Sequence, residues 1–201
     1  MKNRISTLFI AFIYMTTAFA QGDAVSSKTP EQLGGVYYAY PVPSALKTPI
    51  PPEGYTPFYI SHYGRHGSRW LPNDARYEWV NDCFGDEENL TKLGKQVRKQ
   101  LRKIWKNAQG NGGKLTPLGE KQHQGIAQRM MSCYPQLFKD NVQVIARSST
   151  VDRCRKSMLA FTDEIQRQHP DVELSVETNQ RDMQWLVNNT KEVKELEQRT
   201  R

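Results

Sequence analysis

An α/β fold, a mostly parallel sheet flanked by helices, is the class this chain's sequence predicts, and three observations predict it. β-prone runs at Phe58–Ile60, Val142–Ala146 and Val172–Thr178 alternate with amphipathic helical stretches. Helices between strands supply the crossovers that parallel pairing requires. The 201 residues are 37% hydrophobic and 10% aromatic, enough for a packed core in one domain or in part of a larger one. A charged fraction of 24% in this setting excludes collagen, a coiled coil, a polytopic membrane protein and an intrinsically disordered chain. The three cysteines, Cys83, Cys133 and Cys154, are too few and too scattered for a disulfide scaffold or a Cys-rich zinc module.

Residues 1–20 read as an export signal: Lys2 and Arg4 open it, Leu8 to Met15 is apolar, and Ala18-Phe19-Ala20 is a small-x-small cleavage pattern. The apolar run is too short for a membrane span, so no stable span is expected after cleavage. Without Lys2 and Arg4 the 28 basic residues fall to 26 against 21 acidic ones, a formal charge of +5 that suits anionic ligands or an anionic cell surface. Residues 21–57 form an extended lead-in interrupted by Pro41, Pro43, Pro49, Pro51, Pro52 and Pro57. The α/β domain is expected over 58–201.

In that domain a strand at Phe58–Ile60 is expected to deliver the glycine-bounded loop Gly64 to Arg69 to the top of a sheet. Leu90, Leu93, Val97, Leu101, Ile104 and Ala108 recur at helical spacing and predict an amphipathic helix over 90–108, ending at Gly110. Its other face carries Lys92, Lys95, Arg98, Lys99, Arg102, Lys103 and Lys106. No aromatic stacking pattern accompanies these charges, so they read as a solvated face and not as a nucleic-acid surface. Thr116 as N-cap and Pro117 at the first position start a helix running to about Met131. After the strand Val142–Ala146, the polar turn Arg147 to Thr150 opens a helix with Cys154, Met158, Phe161 and Ile165 on one stripe, closed before His169-Pro170. A strand follows at Val172–Thr178, and the tail from Thr190 is charged and helix-prone.

Two places carry chemistry. Arg65 and Arg69 flank His66 on the first loop, and Arg153 lies in the first turn of the helix after Ser149-Thr150. Guanidinium forks match phosphate oxygens in a bidentate way that lysine does not, and a helix N-terminus favours an anion. Three arginines can therefore converge on one phosphate, with Arg147 as a further candidate.

Arg65-His66-Gly67-Ser68-Arg69 resembles the Arg-His-Gly-x-Arg signature of the histidine acid phosphatases, the branch of the histidine phosphatase superfamily that contains phytases and multiple inositol polyphosphate phosphatases. Leu115 to His123, and Arg147 to Arg153 leading into Ser157, agree in order and character. The resemblance covers roughly Pro57 to Ile165. It implies a phosphoglycerate mutase-like fold, His66 as nucleophile through a phosphohistidine, phosphate held by Arg65, Arg69 and Arg153, and neither metal nor other cofactor. It implies a small phosphorylated substrate, an inositol polyphosphate or another phosphomonoester, and no nucleic acid. Oligomeric state is not addressed by it.

The chain departs from the pattern at Trp70-Leu71-Pro72, where proline arrives one position late and Trp70 is a candidate pocket wall. Relatives also carry a late His-Asp or His-Ala-Glu whose acid protonates the leaving group, and no histidine follows His169. Losing general-acid help costs about 10²- to 10⁴-fold. The fold is accordingly expected to be incomplete at the C-terminus, as the N-terminal portion of a longer phosphatase. Asp152 and Glu177 are the fallback acids. Three functions follow: an exported phosphomonoesterase; a phosphate-binding module without turnover; and a phosphomutase, which export disfavours. Cys133 and Cys154 are left open between a disulfide and free thiols. Asn89-Leu90-Thr91 and Asn188-Asn189-Thr190 match a glycosylation acceptor pattern.

Overall fold

The computed structural model describes residues 29, 33–43, 50–139, 142–187 and 191–200. The signal segment and the Asn188-Asn189-Thr190 acceptor lie outside the described residues. The chain divides into two units, one up to Ala39 and one from Tyr40 onward. In the first, a 3-10 turn spans Gly35–Tyr37. Everything below concerns the second.

Its elements in chain order are α1 (Ala75–Asp82), α2 (Lys92–Ala108), α3 (Pro117–Cys133), β1 (Gln143–Ser148), α4 (Asp152–Gln168), β2 (Glu173–Thr178), α5 (Met183–Leu186) and α6 (Lys191–Arg199). β1 and β2 pair in parallel from Gln143 opposite Glu173 to Ser148 opposite Thr178, with α4 as the crossover. Both strands therefore point their C-terminal ends at the turn that opens α4. A mixed fold results: a small parallel sheet of two strands with helices beside it.

The core lies between α3, α4 and the sheet. Ala127, Met131, Phe138, Ile165 and Val172 are buried together, with Ile60, Met130, Val144 and Phe161 packed around them. Burial of such side chains contributes roughly 1.5–3 kcal/mol each for the larger ones. A polar clasp reinforces the α3–α4 contact. The buried Glu164 carboxylate accepts hydrogen bonds from Gln128 (2.9 Å), Arg167 (2.6 Å) and Gln168 (2.6 Å). Those bonds, Arg167 foremost, hold it at about 2.

Caps fix the helix starts. Thr91 accepts from the Gly94 amide at 3.1 Å, so α2 begins at Lys92 and not at Leu90. Gly110 takes φ 75° just past the end of α2, where a side chain would be strained. Its amide and that of Gly112 donate to the Asp74 carboxylate. β1 runs on to Ser148, two residues past the expected end, because the ladder to Thr178 continues.

The strand expected at Phe58–Ile60 is not formed. Phe58 is 91% exposed and Tyr59 73%, and among the described residues no strand lies beside them to complete a ladder. β-prone composition without a hydrogen-bonding neighbour makes extended chain, not sheet. The loop that follows is therefore held by helices and not delivered by a strand. The sequence pattern does not predict α1 or α5; α1 buries no residue and has almost no apolar face, so periodicity is silent there. All three cysteines are free thiols. Among the described residues no helix is long and apolar enough to cross a membrane.

Candidate active site

The loop from Arg65 to Trp70 forms no helix or strand beyond one isolated antiparallel bridge, Arg69 to Leu115, and neighbouring segments bond its backbone. Residues 68–71 run antiparallel beside 113–116: the Thr116 amide donates to the Ser68 carbonyl (2.9 Å), Trp70 to Lys114 (3.0 Å) and Gly113 to Leu71 (2.8 Å). The Thr116 hydroxyl works twice. It caps α3 by accepting from the Gly119 amide (3.1 Å) and donates to the same Ser68 carbonyl (2.8 Å). From inside α3, Gln122 Oε1 accepts the Ser68 amide at 2.8 Å, and His123 Nε2 donates to the Arg65 carbonyl at 3.1 Å. From α4, Ser157 Oγ accepts the Gly67 amide at 3.1 Å. A Cβ on Gly67 would overlap the backbone of Gly119, and one on Gly119 the backbone of Ser68, so this contact requires both glycines.

His66 is half-buried, and its Nδ1 lies 2.8 Å from the Gly67 carbonyl. A carbonyl only accepts, so Nδ1 carries the proton and the neutral ring keeps its lone pair on Nε2. Burial holds the imidazole below the ordinary histidine value of 6.5. The Gly67 bond opposes that shift, while the positive charges of Arg153, Arg65 and Arg69 add to it. The charges of Arg65, Arg69 and Arg153 thus all reach the His66 imidazole, from stretches of chain nearly ninety residues apart.

Two of these guanidiniums hold donors in reserve. Among the described residues, the buried side-chain polar atoms without a protein partner are Arg69 Nε, Arg153 Nε and Gln122 Nε2, all of them donors. Arg69 is oriented by one bond, from Nη1 to the Trp70 carbonyl at 2.9 Å. A buried N–H without an acceptor is costly. Arg147, the further candidate, is engaged elsewhere. Its Nε pairs with Glu177 at 3.0 Å and Asp182 at 3.5 Å.

That pairing also bears on the fallback acids. Glu177 is bonded to Arg147, and Asp152 pairs with Lys156 and Arg155 at 3.1 Å each. Those hydrogen bonds, Lys156 first, hold Asp152 below the ordinary carboxylate value, the wrong direction for a proton donor. Asp152 points to its own helix surface.

Two other histidines border the loop. His62 stacks face to face on Phe161 (5.4 Å, 6°), and loss of water from that covered face lowers its pKa. His123 is buried and lowered chiefly by that burial, with His62 and His66 adding repulsion. Among the described residues no three His, Cys, Asp or Glu side chains are grouped as a metal site would need. A small pocket lined by Phe138, Lys139, Gln168, His169 and Asp171 lies at the opposite end of α4 from Arg153.

Sequence reasoning left Gln122 and Ser157 without roles, although a signal was present. Both fall at core spacing on their helices, Gln122 in register with Gly119 and Ile126, Ser157 with Cys154 and Phe161, and a polar residue on a buried stripe needs a partner.

A scan against protein-family models finds no matching family, and a search of curated proteins finds no significant relative.

Proposed function

We propose that this chain is an exported phosphomonoester hydrolase of the histidine acid phosphatase type, with the phosphoglycerate mutase-like fold, acting through a phosphohistidine on His66. The single observation that carries the reading is the His66 environment. Its Nδ1 proton is committed to Gly67, burial holds its pKa below the ordinary value, and the charges of Arg153, Arg65 and Arg69 add to that shift. Nε2 attacks phosphorus and the ester P–O bond breaks; the phosphoryl group passes to the imidazole and the leaving alkoxide takes its proton from solvent water. Water then attacks the phosphohistidine, the P–N bond breaks and inorganic phosphate departs. The guanidiniums balance charge on the equatorial oxygens in both steps. Small, highly charged esters such as inositol polyphosphates suit the basic chain, which has 28 Lys and Arg against 21 Asp and Glu.

A second reading, a phosphate-binding module with little turnover, has its own support. Asp152 and Glu177 are both held in ion pairs and are poorly disposed to protonate a leaving alkoxide. The two readings separate on leaving group. Release from p-nitrophenyl phosphate, whose phenolate leaves without protonation, and from phytate or glycerol phosphate, which need an acid, is measured for wild type and His66→Ala. The enzyme reading expects His66-dependent release from both classes. Release confined to the activated ester supports the module, and equal release by wild type and variant rejects His66 as nucleophile.

A further inference from the structure

A continuous line of hydrogen bonds joins the helix that bears Arg153 to the imidazole of His66. The Ser157 hydroxyl donates to the Arg153 carbonyl at 2.8 Å and accepts the Gly67 amide at 3.1 Å; the Gly67 carbonyl then accepts His66 Nδ1 at 2.8 Å. We propose that Ser157 is the positioning residue of this site: its one hydroxyl ties the loop carrying His66 to the turn carrying Arg153 and so sets the spacing between imidazole and guanidinium. The proposal rests on the reading of His66 and Arg153 as a phosphate site, but its test does not require turnover.

Three features favour this role over simple packing. Ser157 is 3% exposed, so both of its bonds are made away from competing water. A serine inside a helix that bonds back to the carbonyl four residues earlier contributes little to the helix itself. That back-bond directs the only hydroxyl proton at Arg153 and leaves the oxygen lone pairs facing Gly67. Thirdly, the Gly67 amide is half-buried and has this oxygen as its partner, while the close approach of Gly67 to Gly119 prevents the loop from finding another by moving toward α3. Gln122 clamps the neighbouring Ser68 amide as well, but to α3, which holds none of the proposed phosphate ligands. Of the two clamps, Ser157 alone relates the nucleophile to Arg153.

The test follows the His66 imidazole by NMR titration in the full chain, assigned with His66→Gln, alongside orthovanadate affinity. Ser157→Ala is expected to raise the His66 pKa toward the ordinary value as Arg153 moves off, and to weaken vanadate by about tenfold, the worth of one lost hydrogen bond. Ser157→Thr, which keeps the hydroxyl, is expected to restore both. In an Arg153→Ala background Ser157→Ala is expected to move the titration no further, the non-additivity of groups acting through one contact. If Ser157→Ala lowers the melting temperature yet leaves the titration and the vanadate affinity unchanged, Ser157 is structural only and the proposal is overturned. Should the alanine variant not fold, Ser157→Cys, with its weak donor and acceptor, replaces it under the same criteria. Wild type that binds no vanadate contradicts the phosphatase reading, whereas the shift of His66 on removing the hydroxyl still decides the role of Ser157.

Discussion

The outer face of α2 and the surroundings of His66 are both strongly basic, and they teach different lessons about positive charge. Lys92, Lys95, Lys99, Arg102, Lys103 and Lys106 are exposed on a helix that contains no acidic residue, their heads fully hydrated. Around His66 there are half as many cations, but Arg69 and Arg153 each bury an Nε donor without a protein acceptor. Charge in water is screened within about 8 Å at physiological salt, whereas a desolvated charge is screened much less. Geometry and burial, not the number of charges, separate a solvated face from a site.

The largest effect expected from that contrast is at His66 itself. His66→Ala should reduce turnover of p-nitrophenyl phosphate by at least about 10³-fold, as loss of a nucleophile does elsewhere, while leaving the melting temperature within a few degrees. Next comes Arg153→Ala, expected to lower kcat by about 10²- to 10³-fold with a smaller change in KM, and Arg153→Lys should recover only part of the loss because a point charge does not reproduce the fork. Paired neutralisation on α2, Lys99→Gln with Lys103→Gln, should change kcat/KM by less than about twofold at physiological salt. A larger loss there would break the comparison by showing that distant charge matters as much as the buried donors.

The same burial makes an acid liability. His62, His66 and His123 all lie below the ordinary 6.5 in the folded chain, each chiefly through burial. The unfolded chain therefore binds more protons than the folded one once the pH drops below that value, and stability falls as pH falls. Calorimetry should show the melting temperature decreasing from about pH 7 to about pH 5, with His123→Gln removing part of the slope. Glu164, held at about 2, adds a second loss from the ordinary 4.5 downward. The smallest effect is expected at Arg147→Ala, whose partly exposed pairs with Glu177 and Asp182 are worth roughly 1 kcal/mol or less, with little change in kcat.

Those contrasts also mark what the sequence discloses and what it hides. Helix ends with chemical caps are legible: Thr116-Pro117 and the glycine after α2 fall where the caps predict. The parallel pair β1 and β2 is legible because its apolar runs flank an amphipathic helix of crossover length. Phe58–Ile60 misleads, since strand propensity describes a residue's fit to a neighbour that the local sequence does not contain. α1 is invisible because it buries nothing. At the site, that Arg147 is engaged elsewhere depends on Glu177, thirty residues downstream, which the β1–β2 register sets opposite it, and on Asp182 beyond β2. For Gln122 and Ser157 the sequence marks only a need, a polar residue on a buried stripe; their partners, the Ser68 and Gly67 amides, leave no trace in side-chain identity.

The most direct test is to trap the covalent adduct. Rapid alkaline quench of the protein with radiolabelled phosphate ester, followed by peptide mapping, is expected to find acid-labile, base-stable label on His66, absent from His66→Ala. Label on a serine, or turnover without any His66 adduct that survives in His66→Ala, would contradict the account.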